Sequence, residues 1–428
     1  MSSSFRKNAP AGQAKPPPAT RLNPHSAQLL VSTGVPSLDD VLGGGLPVGG
    51  VLLIEQDRQT GYSSTLLSYF ASQAIAAGHK LCVVNADHPV DLASQLPGWA
   101  GAVRGSSSDS MQAGAAGSSD KSTRSGGQDD TMKIAWRYQN LPRIDDDDQG
   151  ARGSGSTKSA SEVSFCEKFD LSLRIPKDLV EKAQPEIIDS SVVAQMLLEN
   201  DGADVYQCVL DRIRKLVQNG FSSLVPLAPG AERNILRIEL HSLGSGFWQG
   251  GSSTAILGFL HELRGLLRYS YAACVVSLPV YLYEDAGVRH PIVRRIERLC
   301  DAVIELESFE GTYATPADIV ARQIRAGAAG VSGQEYHGFL HIHKLPRLNS
   351  LTASTGRLSL LHTGGGSVNN LAFRLRRKKF SIETYHLPIE GGVTERRVPA
   401  KEESERSSKR SPGAGCGSTP GRKDPLEF

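Results

Sequence analysis

The stretch STGVPSLDDVLGGGLPVGGVLLIEQDRQTGYSST, Ser32 to Thr65, decides the fold class of this chain. Pro36 and the glycine triplet behind it predict a short helix that has proline in its first turn and ends at the glycines. Two further glycines then turn the chain into an apolar strand, Val51 to Ile54. The next loop therefore lies at the carboxyl end of a strand, where α/β sheets bind their ligands.

This loop has the position of a phosphate-binding loop but not its composition. A loop of the form G-x-x-x-x-G-K-[ST] uses glycines for close backbone approach, lysine to reach the phosphates and a hydroxyl for magnesium. Aligned on Gly61, the chain has Gln56 for the first glycine, Tyr62 for the lysine and Ser63 for the hydroxyl. Loss of the lysine is expected to weaken phosphate binding by roughly one to two orders of magnitude. The loop is thus a degenerate phosphate-binding loop, and an ordinary strand-to-helix connection is the simplest alternative.

Short apolar runs alternate with helical patterns along the rest of the core. Strands are predicted at residues 51–54, 81–85, 235–240, 273–278, 302–306 and 338–343. Helices are predicted at residues 63–77, 204–219, 254–270 and 291–299. This alternation predicts an α/β fold with a mostly parallel central sheet flanked by helices.

Composition divides the chain into one domain, two tails and two insertions. Residues 1–24 and 391–428 have too few apolar residues to form a core, and they are predicted to be disordered tails. The low-complexity stretches 104–130 and 145–161 are predicted to be disordered insertions in a single domain, 25–390.

The block between the insertions supports a single domain, because Ile134, Trp136 and Tyr138 alternate as in a strand. The acidic run Asp145 to Asp148 has no patterned scaffold, so it is interpreted as a solvated loop and not as a metal site.

Charge and cysteine usage exclude several classes of protein. A formal net charge of +2 does not by itself attract nucleic acid or membranes, so any basic surface must be local. The six cysteines have no metal-ligand spacing, and Cys82, Cys274 and Cys300 lie in apolar runs typical of buried free thiols in a reducing compartment. The N-terminus lacks the apolar core of a secretory signal, and the longest uncharged run is too short for a membrane helix. We expect a soluble, intracellular protein without a bound metal.

Two sets of residues resemble known families. The segment STGVPSLDDVLGGGLPVGG resembles the opening of RecA/KaiC-like ATPase domains. The blocks KIAWRYQNLPR, NILRIELHSLGSGFW, LRGLLRYSYAACVVSLP, YHGFLHIHKLPRLNSL and LAFRLRRKKFSIETYHLP together resemble the Elongator complex protein 4 family, whose members have a divergent RecA-like fold.

The resemblance implies a function that spacing alone could not give. Members of that family lack the nucleotide-binding consensus and form a hetero-hexameric ring with Elongator complex proteins 5 and 6, which joins the remaining Elongator subunits. The ring binds tRNA and supports modification of the wobble uridine, while another subunit catalyses the reaction. The chain is therefore expected to be a non-catalytic subunit without a cofactor, in the cytoplasm and the nucleus.

The residues by themselves also allow two other functions. An active RecA/KaiC-like ATPase could use an unorthodox cation, and Arg58 in the loop is one candidate. A plain scaffold without affinity for tRNA is the other. RecA-type ATPases end a later strand with an acidic residue, but here His241 occupies that position. Glu239 shares a strand face with His241 and Arg237, so it is interpreted as a solvated or paired carboxylate and not as a catalytic group.

One basic segment is the candidate tRNA-binding site. In RecA-like rings a loop after the next strand faces the central channel, and clustered guanidinium groups suit phosphates. The candidates in that segment are Arg289, His290, Arg294, Arg295 and Arg298. Ile292, Ile296 and Leu299 would form the apolar face of a helix, whose outer face could be basic for solubility alone.

Three further patterns favour structure over chemistry. The basic run FRLRRKKF, residues 373–380, is typical of a solvated strand edge, with nucleic-acid or partner contact as alternatives. Trp136, Trp248 and Phe247 could stack on bases, but packing in a core or an interface is favoured. His341 and His343 share a strand face, and core or interface packing is favoured over a metal site because no third ligand of suitable type is nearby.

Overall fold

The strands predicted from sequence form the centre of the domain. The computed structural model describes residues 16–23, 26–99, 101, 164–199, 204–226, 232–248, 253–285, 288–309, 336–352 and 371–385. Both predicted insertions, the predicted C-terminal tail and the strand predicted around Trp136 lie outside these residues.

The described residues contain sixteen strands and eight α-helices. The strands are β1 (Thr20–Leu22), β2 (Leu29–Val31), β3 (Leu46–Pro47), β4 (Val51–Glu55), β5 (Lys80–Asn85), β6 (Pro97–Trp99), β7 (Phe169–Arg174), β8 (Glu186–Asp189), β9 (Leu236–Leu240), β10 (Ala272–Leu278), β11 (Glu284–Asp285), β12 (Val288–Arg289), β13 (Ala302–Ser308), β14 (Gly338–Lys344), β15 (Leu371–Leu375) and β16 (Phe380–Thr384). The helices are α1 (Pro36–Val41), α2 (Tyr62–Ala76), α3 (Leu92–Gln95), α4 (Lys177–Ala183), α5 (Ser190–Glu199), α6 (Val205–Leu216), α7 (Ser253–Arg268) and α8 (Pro291–Leu299).

The central sheet has nine strands in the order β16-β15-β14-β13-β4-β10-β9-β5-β8. The strands from β8 to β13 in this order pair in parallel. The pairs β13/β14, β14/β15 and β15/β16 are antiparallel. The predicted α/β fold with a mainly parallel sheet is confirmed, and β4 lies near its middle, where both faces are covered.

The two faces of the sheet pack against different helices. On one face Val51 and Leu53 pack in a cluster with residues of α6, α7 and α8, while on the other face Leu52 and Ile54 join residues of α1 and α2. All five residues of β4 are buried. A strand buried on both faces reads as a continuous apolar run, and this explains why β4 shows no alternation in the sequence.

The segment before β4 forms the predicted short helix and glycine turn. The proline lies in the first turn of α1, and Gly43, Gly44 and Gly45 all have positive φ. Asp39 of α1 is buried and accepts hydrogen bonds from Thr33 N and Thr33 Oγ1, both at 2.7 Å, and from Ser32 Oγ. Burial raises the pKa of Asp39 to about 6, although these hydrogen bonds oppose the shift. This network fixes α1 against the strand that precedes it.

A buried arginine joins β9 to the start of β5. Arg237 Nε donates to His79 Nδ1 at 3.0 Å, its NH1 donates to the Ser32 carbonyl at 2.6 Å, and its guanidinium lies 4.7 Å from the centre of the Phe70 ring. His79 Nε2 lies 2.8 Å from the carbonyl of Pro18, so the neutral ring donates from Nε2 and accepts at Nδ1. Burial, followed by the positive charge of Arg237, lowers the pKa of His79 to about 3.

Cys82, Cys274 and Cys300 are buried free thiols, as predicted. β1 lies within residues 1–24, the segment predicted as the N-terminal tail, and it pairs with β2. Among the described helices, none is long and apolar enough to cross a bilayer.

Candidate functional site

The loop between β4 and α2 begins at the carboxyl end of a central strand. Gln56 N donates to the carbonyl of Leu278, 2.9 Å away at the end of the neighbouring β10. The helix α2 then begins at Tyr62, with Gly61 as its N-cap. The loop therefore lies at the carboxyl end of a strand inside the central sheet, as the sequence predicts, because β10 and β13 flank β4.

A carboxylate of the loop closes the loop on itself. Asp57 Oδ1 accepts hydrogen bonds from Thr60 N at 3.0 Å and from Thr60 Oγ1 at 2.7 Å. A phosphate-binding loop directs such backbone N–H groups at the anion. Here the N–H group of Thr60 donates to the Asp57 carboxylate instead. The negative charge of this carboxylate also repels an incoming phosphate.

The residue at the lysine position is buried in an aromatic group. Tyr62 is 8% exposed, and its ring meets Phe373 of β15 edge-on at 4.8 Å and the His337 ring at 6.1 Å. Ser63, at the hydroxyl position, is 4% exposed. The first turn of α2 is therefore part of the packing between this helix and β15, while Arg58 of the loop is exposed.

A charged cluster lies directly before the loop. The carboxylate of Glu55, the last residue of β4, is 1% exposed, and its Oε2 lies 3.0 Å from NH1 of Arg289. Arg289 also pairs with Glu305 of β13 and, at 3.5 Å, with Glu284. Burial raises the pKa of Glu55 to about 7, against the opposing effect of Arg289.

A histidine from β14 completes this charged cluster. His343 Nε2 lies 2.7 Å from Glu305 Oε2 and 3.8 Å from Glu55 Oε2. The hydrogen bond to Glu305 raises the pKa of His343. We call Glu55, Glu305 and His343, with Arg289 beside them, the strand-end cluster.

Both histidines of β14 have carboxylate partners on β13, which is distant in sequence. His341 and His343 do not act as a pair, because His341 Nε2 contacts Glu307 at 2.6 Å while His343 contacts Glu305. The premise that no further ligand lies near His343 is wrong. Pairing of β14 with β13 and of β13 with β4 brings together residues far apart in sequence, and no local pattern could have shown it.

Glu239 is buried, so its interpretation as a solvated carboxylate is wrong and the paired alternative holds. Its side chain is 2% exposed, and its Oε2 lies 3.4 Å from Nε2 of His241. Burial raises the pKa of Glu239. A carboxylate enclosed in this way is less accessible to magnesium than one at an open ATPase site.

The candidate tRNA-binding residues separate into two groups. Arg289 is occupied by the carboxylates of the strand-end cluster, and His290 caps α8 by accepting a hydrogen bond from Ile292 N. Arg294, Arg295 and Arg298 are exposed on the outer face of α8. The apolar face of α8 packs against the sheet and α7, with Ile292, Val293 and Ile296 buried.

The basic run 373–380 and the aromatic residues Phe247 and Trp248 lie in three different environments. Phe373 and Phe380 are buried and stack at 5.5 Å across the hairpin β15/β16, and the basic residues 376–379 form its exposed turn. The exposed basic residues therefore lie in a turn and not along a strand edge, and Arg374 of the same run is buried. Trp248 is buried and stacks on Tyr206 at 5.2 Å, which confirms its role in packing. Phe247 is 57% exposed.

The fold is that of an α/β protein with a mainly parallel central sheet, and Tyr62 stands where a phosphate-binding loop would have its lysine. Comparison with known proteins gives the family: the chain belongs to the PAXNEB protein family, whose sequence profile matches residues 13–418. Elongator complex protein 4 of Xenopus laevis is 34% identical over 425 residues, covering 96% of this chain and 92% of that protein.

Other relatives carry the same name. Elongator complex protein 4 of Homo sapiens is 33% identical over 435 residues, covering 96% of this chain and 88% of that protein. The protein of that name from Saccharomyces cerevisiae is 24% identical, covering 86% of this chain and 76% of that protein. The resemblance found in the sequence blocks is therefore confirmed.

Proposed function

We propose that this chain is a non-catalytic subunit of the Elongator complex. In this proposal it forms a hetero-hexameric ring with Elongator complex proteins 5 and 6, joins the remaining Elongator subunits, binds tRNA through the ring and supports wobble-uridine modification in the cytoplasm and the nucleus. The name shared by its relatives supports membership of the complex.

One observation carries the non-catalytic part of the proposal. The position of the phosphate-binding lysine is held by Tyr62, whose ring is packed against Phe373. A lysine at this position reaches the β- and γ-phosphates and stabilises charge in the transition state. The tyrosine offers neither charge nor reach, and Asp57 adds a carboxylate to the same loop.

ATP turnover by the purified chain separates this proposal from an unorthodox ATPase. We expect no turnover above background. Turnover that is abolished by Ser63→Ala or Arg58→Ala would overturn the non-catalytic assignment, because both side chains belong to the loop.

Membership in the complex is tested by purification of the tagged protein from its own cells, followed by mass spectrometry and an assay of the wobble uridine in a deletion strain. Recovery of Elongator complex proteins 5 and 6 together with loss of the modified uridine is the expected result. Intact modification and no Elongator partners would contradict the proposal.

Contact with tRNA is tested on the exposed face of α8 in the assembled ring. We expect Arg294→Glu with Arg295→Glu to weaken tRNA binding by about tenfold or more and to reduce its salt dependence, because two phosphate contacts are lost. The matched control reverses Lys177 and Lys182, two exposed cations on α4. Equal binding by both double variants would support a scaffold that does not touch tRNA.

A further inference from the structure

The strand-end cluster has the geometry of a metal-ion site. His343 Nε2, a Glu305 oxygen and a Glu55 oxygen all lie within 4.8 Å of one another. Ligand atoms at about 2.0–2.2 Å from a common ion are separated by no more than about 4.4 Å. The distances from His343 Nε2 to Glu305 Oε2, 2.7 Å, and to Glu55 Oε2, 3.8 Å, fall within that limit.

An unsatisfied oxygen points to a ligand. Glu55 Oε1 is buried and accepts no hydrogen bond from the described residues, although Oε2 of the same carboxylate contacts Arg289. Leaving one buried carboxylate oxygen without a partner is costly, and most such groups in folded proteins are satisfied. A cation beside Glu55 would satisfy it.

The carboxylates around Arg289 also favour binding of a further cation. Three carboxylates, those of Glu55, Glu284 and Glu305, surround the single guanidinium of Arg289. Arg289 contacts Glu305 through Oε1, so Oε2 of that residue is directed to His343. An ion bound between His343 and Glu305 could therefore keep Arg289 in place as a neighbour.

We propose that Glu55, Glu305 and His343 bind one divalent transition-metal ion such as Zn²⁺. One imidazole and two carboxylates are suitable ligands for Zn²⁺, and three protein ligands leave a coordination position open to water or another ligand. Mixed nitrogen and oxygen ligands favour Zn²⁺ over Mg²⁺, which prefers oxygen ligands alone. This proposal does not rest on the proposed ring or on tRNA binding.

The three ligands are held by different strands of one sheet. Glu55 ends β4, Glu305 lies in β13, which pairs with β4 in parallel, and His343 lies in β14, which pairs with β13. Backbone hydrogen bonds of the sheet set their spacing before any ion binds. Positions on rigid elements are more precise than positions on loops, and this favours a preformed site.

The test is titration of the metal-stripped, full-length chain with Zn²⁺ by calorimetry, with Mg²⁺ as the comparison ion. We expect one saturable Zn²⁺ site that weakens by about tenfold or more in Glu305→Gln and in His343→Asn. His341→Asn is the matched control, because His341 lies on the same strand and pairs with Glu307 instead. That variant should bind Zn²⁺ as tightly as the wild type.

A second variant tests the position of the ion. Arg289→Gln removes a positive charge next to the site, so it should tighten Zn²⁺ binding severalfold. The proposal is overturned if the two ligand variants bind as the wild type does, if His341→Asn weakens binding equally, or if Mg²⁺ binds as tightly as Zn²⁺. Should Glu305→Gln fail to fold by circular dichroism, His343→Asn decides, since His343 is the most exposed of the three side chains, at 33%.

Discussion

Single residues in this domain are constrained by what lies next to them, and two glycines show the contrast. Gly34 has φ +87°, and a Cβ added there would lie 2.4 Å from the carbonyl oxygen of Tyr69. Gly61, the one glycine of the degenerate loop, has φ −99° and no atom within 4 Å of an added Cβ. Gly61, which aligns with a glycine of the phosphate-binding consensus, therefore has room for a larger side chain.

We expect Gly34→Ala to lower the free energy of unfolding by on the order of 2–4 kcal/mol, because α2 would have to move from its contact. Gly61→Ala should change it by no more than about 0.5 kcal/mol. Urea denaturation of both variants measures the difference. Equal losses would contradict the close approach at Gly34.

His79 gives a pH dependence at the residue scale. Its pKa is about 3 in the folded chain and 6.5 as an ordinary histidine, so the unfolded chain binds more protons between these values. The contribution of His79 to stability is fully present above pH 6.5 and is lost as the pH falls toward 3.

We expect the difference in unfolding free energy between wild type and His79→Gln to shrink as the pH falls below 6.5, by at most about 1.4 kcal/mol per pH unit. Taking this difference cancels the opposing contributions of Asp39 and Glu55, whose raised pKa values favour the folded state at lower pH. Denaturation at several pH values between 4 and 8 measures it. A difference that is constant with pH would show that the pKa of His79 is the same in the folded and the unfolded chain.

At the scale of elements, the first turn of α2 packs where an ATPase would bind phosphate. Tyr62 contacts Phe373 and the His337 ring, so α2 is held against β15 and the segment before β14 by the residue that replaces the lysine. Tyr62 therefore packs at the position where a phosphate-binding loop has its lysine.

Tyr62→Lys tests this packing. We expect it to destabilise the domain by about 2–4 kcal/mol, since an aromatic contact is lost and a charge enters a buried position, and to produce no ATP turnover. The control is Tyr269→Lys, at a tyrosine that is 60% exposed, where a change of no more than about 0.5 kcal/mol is expected. ATP turnover at unchanged stability would show that the lysine alone was missing.

At the scale of the whole molecule, one buried carboxylate joins parts of the chain that are 250 positions apart. Asp301, at the start of β13, accepts a hydrogen bond from Val51 N at 3.0 Å and pairs with Arg268 at 2.5 Å and Arg264 at 3.2 Å. It therefore connects β4, α7 and β13 at the amino ends of the strands. Arg268 also donates to the carbonyl of Gly49 in the turn before β4.

We expect Asp301→Ala to lower the free energy of unfolding by about 2–4 kcal/mol, because it leaves two arginines and a buried N–H group without their acceptor. Asp211→Ala is the comparison, since it removes a surface pair with Arg214 and should cost no more than about 0.5 kcal/mol. Chemical denaturation of both variants gives the values, and equal costs would argue against the role of Asp301.

The sequence by itself determined the elements, because their causes are local. The proline and glycines around α1, the apolar run of β4 and the spacing of apolar residues in α8 each fix backbone conformation or burial within a few residues. The position of the degenerate loop follows from the same local order, strand, loop and helix.

Only the tertiary structure decided which side chains meet. The antiparallel strands β14 to β16 extend the sheet beside β13, and they bring His343 to Glu55 and Phe373 to Tyr62 across more than 280 positions of sequence. Burial of Glu239 and the pairing of Arg289 with carboxylates arise in the same way. Strand order and the charges that then share a buried space depend on the packing of the whole chain, and no local pattern of residues encodes them.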